Sequence, residues 1–317
     1  MKLVGFNQDL SQVFEDIPAI SPMLASALPE PFEDINWSFE IKWDGYRCLL
    51  YLKGQDMLLR SRNGVLLNER FTGLLQIPKM LCQNEAKSLI VDGEIVAFDG
   101  KIPRFSKLVS NPKSAVYIAF DLLYLNGETL FHLPLYRRKD KLGKLFSWEA
   151  PIYFSKDYSE SGSALFALAQ KLNLEGIMAK KKDSLYSPGK LTKNWVKIKN
   201  DREDRFWIVG YIPSPGRQIG VLVLAAEKNS ESNKTTKDLL LVGKVAATLD
   251  LESEKSLLRK FGSAKDNKPP YVSGRLAKRQ GQLIRWIEPY FGALVRYTEI
   301  TPDGNLRHPV FRRLVEV

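Results

Sequence analysis

From Trp37 onward, apolar and polar residues alternate in short runs, the period-2 pattern of strands with one face turned to water. "WSFEIKWDGYRCLLYL" (37–52), "DMLLRSRNG" (56–64) and "SLIVDGEIVAFDG" (88–100) read as strands punctuated by Gly, Asn and Asp turns. "AVYIAFDLLYLNG" (115–127) reads as a buried strand entering a turn. On this pattern Lys42 stands on the wet face of an amphipathic strand, and Asp44-Gly45 and Asp92-Gly93 read as hairpin turns. "SALFALAQKLN" (163–173) has helical spacing instead.

The first 36 residues hold Pro18, Pro22, Pro29 and Pro31 with little periodicity, which predicts an extended lead-in wrapped over the body. Later, the charged run "DREDR" (201–205) suits a linker, and the chain then changes character. "FWIVGYI", "IGVLVLAAE" and "LLLVGKVAATL" are short strands, "LESEKSLLRKF" (251–261) a helix and "ALVRYTEI" (293–300) a further strand. About five strands and one helix in roughly 110 residues suit a small closed barrel of the oligonucleotide-binding kind, with a sandwich as the alternative. The reading is α+β, with domains at 1–201 and 202–317.

Composition narrows the class. A chain of 317 residues with 44% hydrophobic and 26% charged positions is an ordinary soluble protein of about two domains. Forty-seven basic against 36 acidic residues give +11, which favours polyanionic partners. Residues 201–317 carry 20 basic and 14 acidic groups and are the more basic part per residue. Cys48 and Cys82 form no CxxC pair, so neither a disulfide framework nor a structural zinc site is expected, and a reducing cytoplasm fits. With only His132 and His308 present, catalysis resting on several histidines is excluded, and chemistry falls to Lys, Arg, Asp and Glu. No run approaches the ~18 apolar residues of a membrane span. A soluble, cytoplasmic monomer with no membrane partner is expected.

Six motifs follow in order: "EIKWDGYR" (40–47), "SRNG" (61–64), "VDGEIVAFD" (91–99), "YIAFDLLYLNG" (117–127), "EGIMAKKKDSLYSPG" (175–189) and "NWVKIKN" (194–200). Singly each is weak, because KxDG arises by chance and a strand lysine is usually just solvated. As an ordered series they resemble the covalent nucleotidyltransferase superfamily of ATP-dependent DNA ligases, RNA ligases and mRNA capping enzymes. "PLYRRKDKL" (134–142) and "ITPDGNLRHPVFRRL" (300–314) are similar to bacterial ATP-dependent DNA ligases of the end-joining type. The resemblance spans residues ~37–314. It implies a nucleotidyltransferase (adenylation) domain of antiparallel sheets and flanking helices, followed by an all-β OB-fold barrel domain.

Nick sealing explains why such a set is needed. A bare 5′-phosphate has no good leaving group, so an enzyme first takes AMP from ATP onto itself and then passes it to the phosphate. A lysine amine suits the carrier role, but at a pKa near 10.4 it needs neighbouring cations to shed its proton. The resemblance makes Lys42 that nucleophile. Lys197 and Lys199, alternating onto one strand face, and Lys180 on a second strand would supply the positive field and neutralise the α-phosphate. Glu94 and Glu175 match acidic residues that hold the ribose or a divalent ion, Mg²⁺ with Mn²⁺ as the alternative. Phe120 matches the position stacking on adenine, Glu40 the residue reading its amino group, and Ile41 lies between Glu40 and the lysine at the nucleotide. Arg47 and Arg62 match contacts to the nucleotide or the DNA 5′-phosphate, and Arg307 and Arg312 are expected as further DNA contacts, with a solvated face as the alternative for the Arg312-Arg313 pair. Outside this register each would be read blandly, Phe120 as core and the arginines as surface.

The implied partner is nicked or broken double-stranded DNA, with a Ku-like end-binding protein beside it. Val315-Glu316 stand where the family's Arg-x-Asp-Lys-like ending is expected: either Arg307, Arg312 or Arg313 substitutes in orienting pyrophosphate or a short tail is missing from this chain. True absence of the motif predicts slow charging with ATP but near-normal sealing of pre-adenylated nicks. Neither a DNA-clamping helical domain nor polymerase and phosphoesterase modules are expected in so minimal a two-domain ligase. The run "NDREDR" would be its hinge. NAD-dependent ligases need a tetracysteine site that two cysteines cannot form, and no P-loop occurs. RNA ligase or capping activity is the enzymatic alternative, and a non-catalytic nucleic-acid-binding protein the alternative from another class.

Overall fold

The alternating runs of the first part of the chain assemble into two main sheets, with a separate two-stranded ladder of Phe98–Asp99 and Ile102–Pro103. The computed structural model describes residues 10–316 apart from 83–85, 159–160, 229–237, 248, 263, 270, 275, 277–282 and 302. Two units divide the chain at Asn200/Asp201. In the first, a four-stranded sheet runs in the order Leu24–Leu28, Leu191–Lys199, Gly176–Lys181, Trp37–Ile41. A second sheet runs Ile152–Phe154, Val116–Leu125, Ser88–Val96, Tyr46–Lys53, Asp56–Ser61, with Glu128–Thr129 added beside Val116–Leu125.

Side-chain alternation sorts the faces of each sheet. Phe39, Ile41, Ile177, Ala179, Val196 and Ile198 turn to one side of the first sheet and pack on Leu165 and Ala169 of the helix Gly162–Lys171. Gly162 opens that helix because a Cβ there would lie 2.6 Å from the Phe39 ring and 2.3 Å from Phe32 O. Far from it, Cys48, Leu50, Leu52, Val91, Tyr117 and Leu122 of the second sheet cover Phe71, Leu74 and Ile77 of the 3₁₀ segment Thr72–Met80. Each such buried Leu or Phe contributes about 1.5–3 kcal/mol. The two outer apolar layers can therefore carry stability, which frees the facing inner surfaces to hold polar groups. Between the sheets, Leu49, Tyr51, Ile90 and Phe120 meet Trp195, Tyr186 and Met23, which is how the Pro-rich lead-in is anchored. Residues 1–9 of that lead-in lie outside the described residues.

Two hairpin readings are corrected. Trp37–Ile41 and Tyr46–Lys53 belong to different sheets, so Asp44-Gly45 is no hairpin: the chain crosses from one sheet to the other over Lys42–Gly45. Gly45 is needed there because a Cβ would lie 2.0 Å from Ile95 O. Likewise Asp92, Gly93 and Glu94 lie inside the strand Ser88–Val96, paired on both sides, and not in a turn.

The main sheet of the second unit runs Val272–Ser273, Leu239–Ala246, Arg217–Glu227, Arg202–Ser214, Phe291–Tyr297, Val310–Glu316, with Arg285–Trp286 paired to Arg202–Ser214, and Glu299–Ile300 and Leu306–Arg307 form a separate two-stranded ladder. Phe206 and Ile208 face one core, closed by Leu257 and Phe261 of the helix Leu251–Phe261, while Trp207 and Val209 face another. Asp250 caps this helix by accepting from Ser253 N at 2.7 Å. The α+β class is thus as expected, but the sheets are mixed and not purely antiparallel: Leu24–Leu28 runs parallel to Leu191–Lys199, Ile152–Phe154 to Val116–Leu125 and Val272–Ser273 to Leu239–Ala246. Among the described residues, however, no ladder pairs the sheet's two end strands, so the expected barrel is not closed by hydrogen bonds.

The linker reading of "DREDR" is also corrected. Arg202–Arg205 pair in register with Tyr297–Leu294, leaving only Asn200 and Asp201 between consecutive strands. The run is charged because its side chains make cross-strand contacts: Glu203 with Arg312 at 3.1 Å and Asp204 with the Tyr297 hydroxyl at 2.5 Å. Among the described residues no helix is long and apolar enough to cross a membrane.

Candidate active site

Lys42 is the first residue beyond its strand, at the crossing between sheets. Its backbone N–H donates to Gly176 O at 3.0 Å, which ties it to the start of the neighbouring strand. Gly176 is required by a φ of +135° and by Ile198 O, 2.1 Å from where a Cβ would stand. From this anchor Lys42 Nζ reaches Glu175 Oε2 at 2.6 Å. The ammonium thus rests on one of the two carboxylates expected at the site.

The register of the first sheet places Glu40, Met178 and Lys197 in one row across three strands. Lys180 and Lys199 lie two residues from that row on their own strands and share its face. In the facing sheet Arg47 pairs with Glu94 and Leu49 with Asp92, so both acids look into the same space as Arg47. Between the sheets is a cleft of about 710 Å³ lined by Glu40, Ile41, Lys42, Arg47, Arg62, Glu94, Phe120, Lys180 and Lys197. Nine of the residues singled out in the sequence, drawn from all six motifs, thus converge on one space.

Charge in the cleft is arranged in three groups. Arg47 donates a fork to Asp92, Nε to Oδ1 at 3.0 Å and Nη2 to Oδ2 at 2.7 Å, and the Tyr186 hydroxyl donates to Oδ2 at 2.8 Å. Burial disfavours the guanidinium charge, but Asp92 outweighs it and holds Arg47 above its ordinary pKa. Glu94 is the opposite case: burial pushes its carboxyl up to about 8, and the nearby Glu175 and Asp92 add to this against Lys42 and Arg47. Lys197 is pushed down by burial and then by Lys199, Lys42 and Arg62. A carboxyl short of positive charge beside a second carboxylate fits a divalent cation, since Mg²⁺ keeps most of its waters and needs one or two protein carboxylates. Glu94 and Glu175 would be those ligands.

Glu40 forms the third group. Its Oε1 accepts from Lys139 and Lys180, each at 2.8 Å, and its Oε2 from Ser155 Oγ at 2.8 Å. Burial alone would raise this carboxyl; Lys139 and then Lys180 bring it down to about 2. Beside it Phe120 packs edge-on to Trp195 with centroids 6.2 Å apart, and Lys180 Nζ stands 4.2 Å from the Phe120 centroid.

Arg307 and Arg312 are in the second unit, where Arg307 donates to Glu299 at 2.8 Å and Arg312 to Glu203 at 3.1 Å. Both are therefore engaged by carboxylates in this structure. The sequence reading also missed Asp92, Ser155, Trp195 and Lys139. For Lys139 a signal existed: the helix Leu135–Gly143 buries Leu135, Arg138, Lys139 and Leu142, a helical i, i+3, i+4, i+7 stripe with two cations in it. Cations on an apolar stripe demand buried acids, and Arg138 finds Asp121 with two bonds of 2.8 Å.

Comparison with known proteins agrees with the fold. Residues 22–199 match the family model described as the ATP dependent DNA ligase domain, and residues 215–316 match the ATP dependent DNA ligase C terminal region. The multifunctional non-homologous end joining protein LigD of Pseudomonas aeruginosa is 30% identical over 307 residues, covering 94% of this chain and 35% of that protein. The crystal structure of the ligase domain from M. tuberculosis LigD superposes with a TM-score of 0.54 at 28% identity, covering 93% of this chain and 95% of that one. A mycobacterial DNA ligase D complexed with ATP gives 0.54 at 27% identity over 94% of this chain and 95% of that chain. The chain spans about a third of the length of the Pseudomonas protein and 40% of the Mycobacterium bovis relative.

Proposed function

The chain belongs to the ATP-dependent DNA ligase family, and from that premise we propose that it joins 3′-hydroxyl and 5′-phosphate ends of nicked or broken duplex DNA through a lysyl-AMP and a DNA-adenylate. The observation that carries this reading is Lys42 at the sheet crossing, 2.6 Å from Glu175, in a cleft whose walls bring Lys197, Arg47, Glu94 and Phe120 together.

In the first step Lys42 Nζ attacks the α-phosphorus of ATP: an N–P bond forms, the bond to the bridging oxygen breaks, and pyrophosphate leaves. Lys42 must lose a proton to do so, and Glu175 already accepts a hydrogen bond from it. Lys197 and Lys199 neutralise the α-phosphate oxygens as charge shifts to the leaving group. Mg²⁺ or Mn²⁺, held by Glu94 and Glu175, would offset phosphate charge when bound. Glu40, Ile41 and Phe120 hold the base; Lys180, expected to join the field on the α-phosphate, is instead spent on Glu40 and orients it. Arg47 and Arg62 hold the nucleotide or the DNA phosphate. AMP then passes from Lys42 to the 5′-phosphate of the break. In the last step the 3′-hydroxyl attacks that phosphorus, a phosphodiester forms, and AMP departs.

The end-joining names of the relatives support a role in break repair, with a Ku-like protein presenting ends. A monomer working in the cytoplasm is the matching expectation. Incubation with α-labelled ATP and Mg²⁺ should label the protein, and nicked DNA should discharge the label into a sealed strand. Lys42→Ala should give no label while melting as the wild type does. Label surviving that substitution would refute the assignment of Lys42, and discharge onto nicked RNA alone would replace the substrate.

A further inference from the structure

The second buried cation on the helix Leu135–Gly143 has all three of its N–H bonds committed. Lys139 Nζ donates to Glu40 Oε1 at 2.8 Å, to Ser155 O at 3.0 Å and to Asp157 Oδ1 at 2.6 Å. Ser155 completes the frame: its Oγ donates to Glu40 Oε2 at 2.8 Å and accepts from Trp43 Nε1 at 3.2 Å. An ionised carboxylate offers about four acceptor positions. Lys139 and Lys180 fill both on Oε1 and Ser155 fills one on Oε2. One position on Oε2 is left, on a side chain that lines the cleft.

We propose that Lys139 is a positioning residue for nucleobase choice: by clamping Glu40 as an ionised, oriented acceptor with one open site, it selects a 6-amino purine nucleotide over a 6-oxo one. The inference rests on the ligase reading and adds to it the residue that sets donor specificity. An adenine amino group can donate to the open site on Oε2. The 6-oxo group of guanine would present an acceptor to an acceptor, a mismatch that polar sites discriminate by large factors. Three charged groups face Glu40: Lys139 from the helix, Lys180 from the neighbouring strand and Asp157 from the segment after Ile152–Phe154, with Asp121 near Lys180. Lys180 is the less secure of the two cations, because its own burial, which remains when Lys139 is removed, pushes it down against the pull of Glu40. Without Lys139, Glu40 loses an anchor and its strongest counter-charge. It can then turn and take a proton, and a protonated carboxyl donates to a 6-oxo group.

The test compares self-labelling by α-labelled ATP and GTP in wild type, Lys139→Met and Lys139→Arg between pH 5.5 and 8. Wild type should prefer ATP by about a hundredfold or more, with a ratio that does not change over this range. Lys139→Met should narrow the ratio at least about tenfold, more strongly toward low pH, and Lys139→Arg should restore it. A purely structural role would slow both nucleotides equally at every pH. An unchanged ratio in a folded Lys139→Met overturns the inference alone. If that variant does not fold, a wild-type ratio that already declines between pH 8 and 5.5 overturns it. No label on wild type from either nucleotide removes the ligase reading, and this inference with it.

Discussion

Replacing Glu94 by Gln should stabilise the ligand-free protein, and increasingly so as pH rises. In the folded chain its carboxyl is held at about 8 by burial and by Glu175 and Asp92, against an ordinary value of 4.5. A carboxyl with a raised folded-state pKa binds its proton more tightly when folded. Its contribution is therefore fully retained below about pH 4.5, lost progressively above that, and gone beyond about pH 8. For those two values the cost to wild type relative to low pH is roughly 1 kcal/mol at pH 5 and roughly 4 kcal/mol at pH 8. The side chain is only part-buried and water reaches the cleft, so about 2–3 kcal/mol across this interval is the figure to expect. For a 200-residue unit each kcal/mol is worth about 2–4 °C. Thermal melts of wild type and Glu94→Gln from pH 5 to 8 should diverge by about 4–12 °C, with other titrating groups cancelling in the difference. Millimolar Mg²⁺ should lift wild type toward the variant at pH 8 and leave the variant little changed. A gap between the two proteins that stays constant from pH 5 to 8 would show that Glu94 is already ionised in the fold, and the account of the acidic pair would fail.

Two further substitutions test the frame. Asp92→Asn leaves the Arg47 fork facing a neutral amide; since removing one partner of a buried pair costs about 3–5 kcal/mol and Arg47 keeps some solvent, about 2–4 kcal/mol should be lost in urea denaturation at pH 7. A loss below about 0.5 kcal/mol would mean that Asp92 does not hold Arg47. Gly93→Ala places a Cβ 2.4 Å from Tyr117 Cζ and 2.6 Å from Ile118 O, where the strand itself must shift. It should lower stability by about 2 kcal/mol or more, and a neutral melt would show that the ladder has slack unseen here.

Much of the site was legible because its motifs are local. Lys42, Glu94, Phe120, Glu175 and Lys197 each sit in a short motif that says little alone and is marked by its place in the ordered series resembling the ligases, and the alternation in "WVKIK" already places Lys197 and Lys199 on one face. The strands themselves, the helices Gly162–Lys171 and Leu251–Phe261 and the α+β class follow from the same short-range periodicity. Lys139 was overlooked because a helix's buried stripe is normally apolar, and assigning a role to a cation there requires knowing which acid lies opposite.

Pairing was decided only by the tertiary structure. A period of two states which side chains share a face; it does not state which strand lies alongside, nor whether a turn joins neighbours or changes sheets. Asp44-Gly45 and Asp92-Gly93 look like hairpins, yet one is a sheet crossing and the other lies mid-strand, because glycine serves close approach as readily as it serves a turn. "DREDR" looks like a linker because charge suggests solvent, yet its carboxylates meet Arg312 and Tyr297 across a ladder. Glu40 and Lys139, 99 positions apart, have a meaning only as a pair. The sequence by itself could supply the groups and their local faces, whereas their electrostatics depended on contacts between distant segments, since burial and neighbouring charge set a carboxyl at about 2 in Glu40 and about 8 in Glu94.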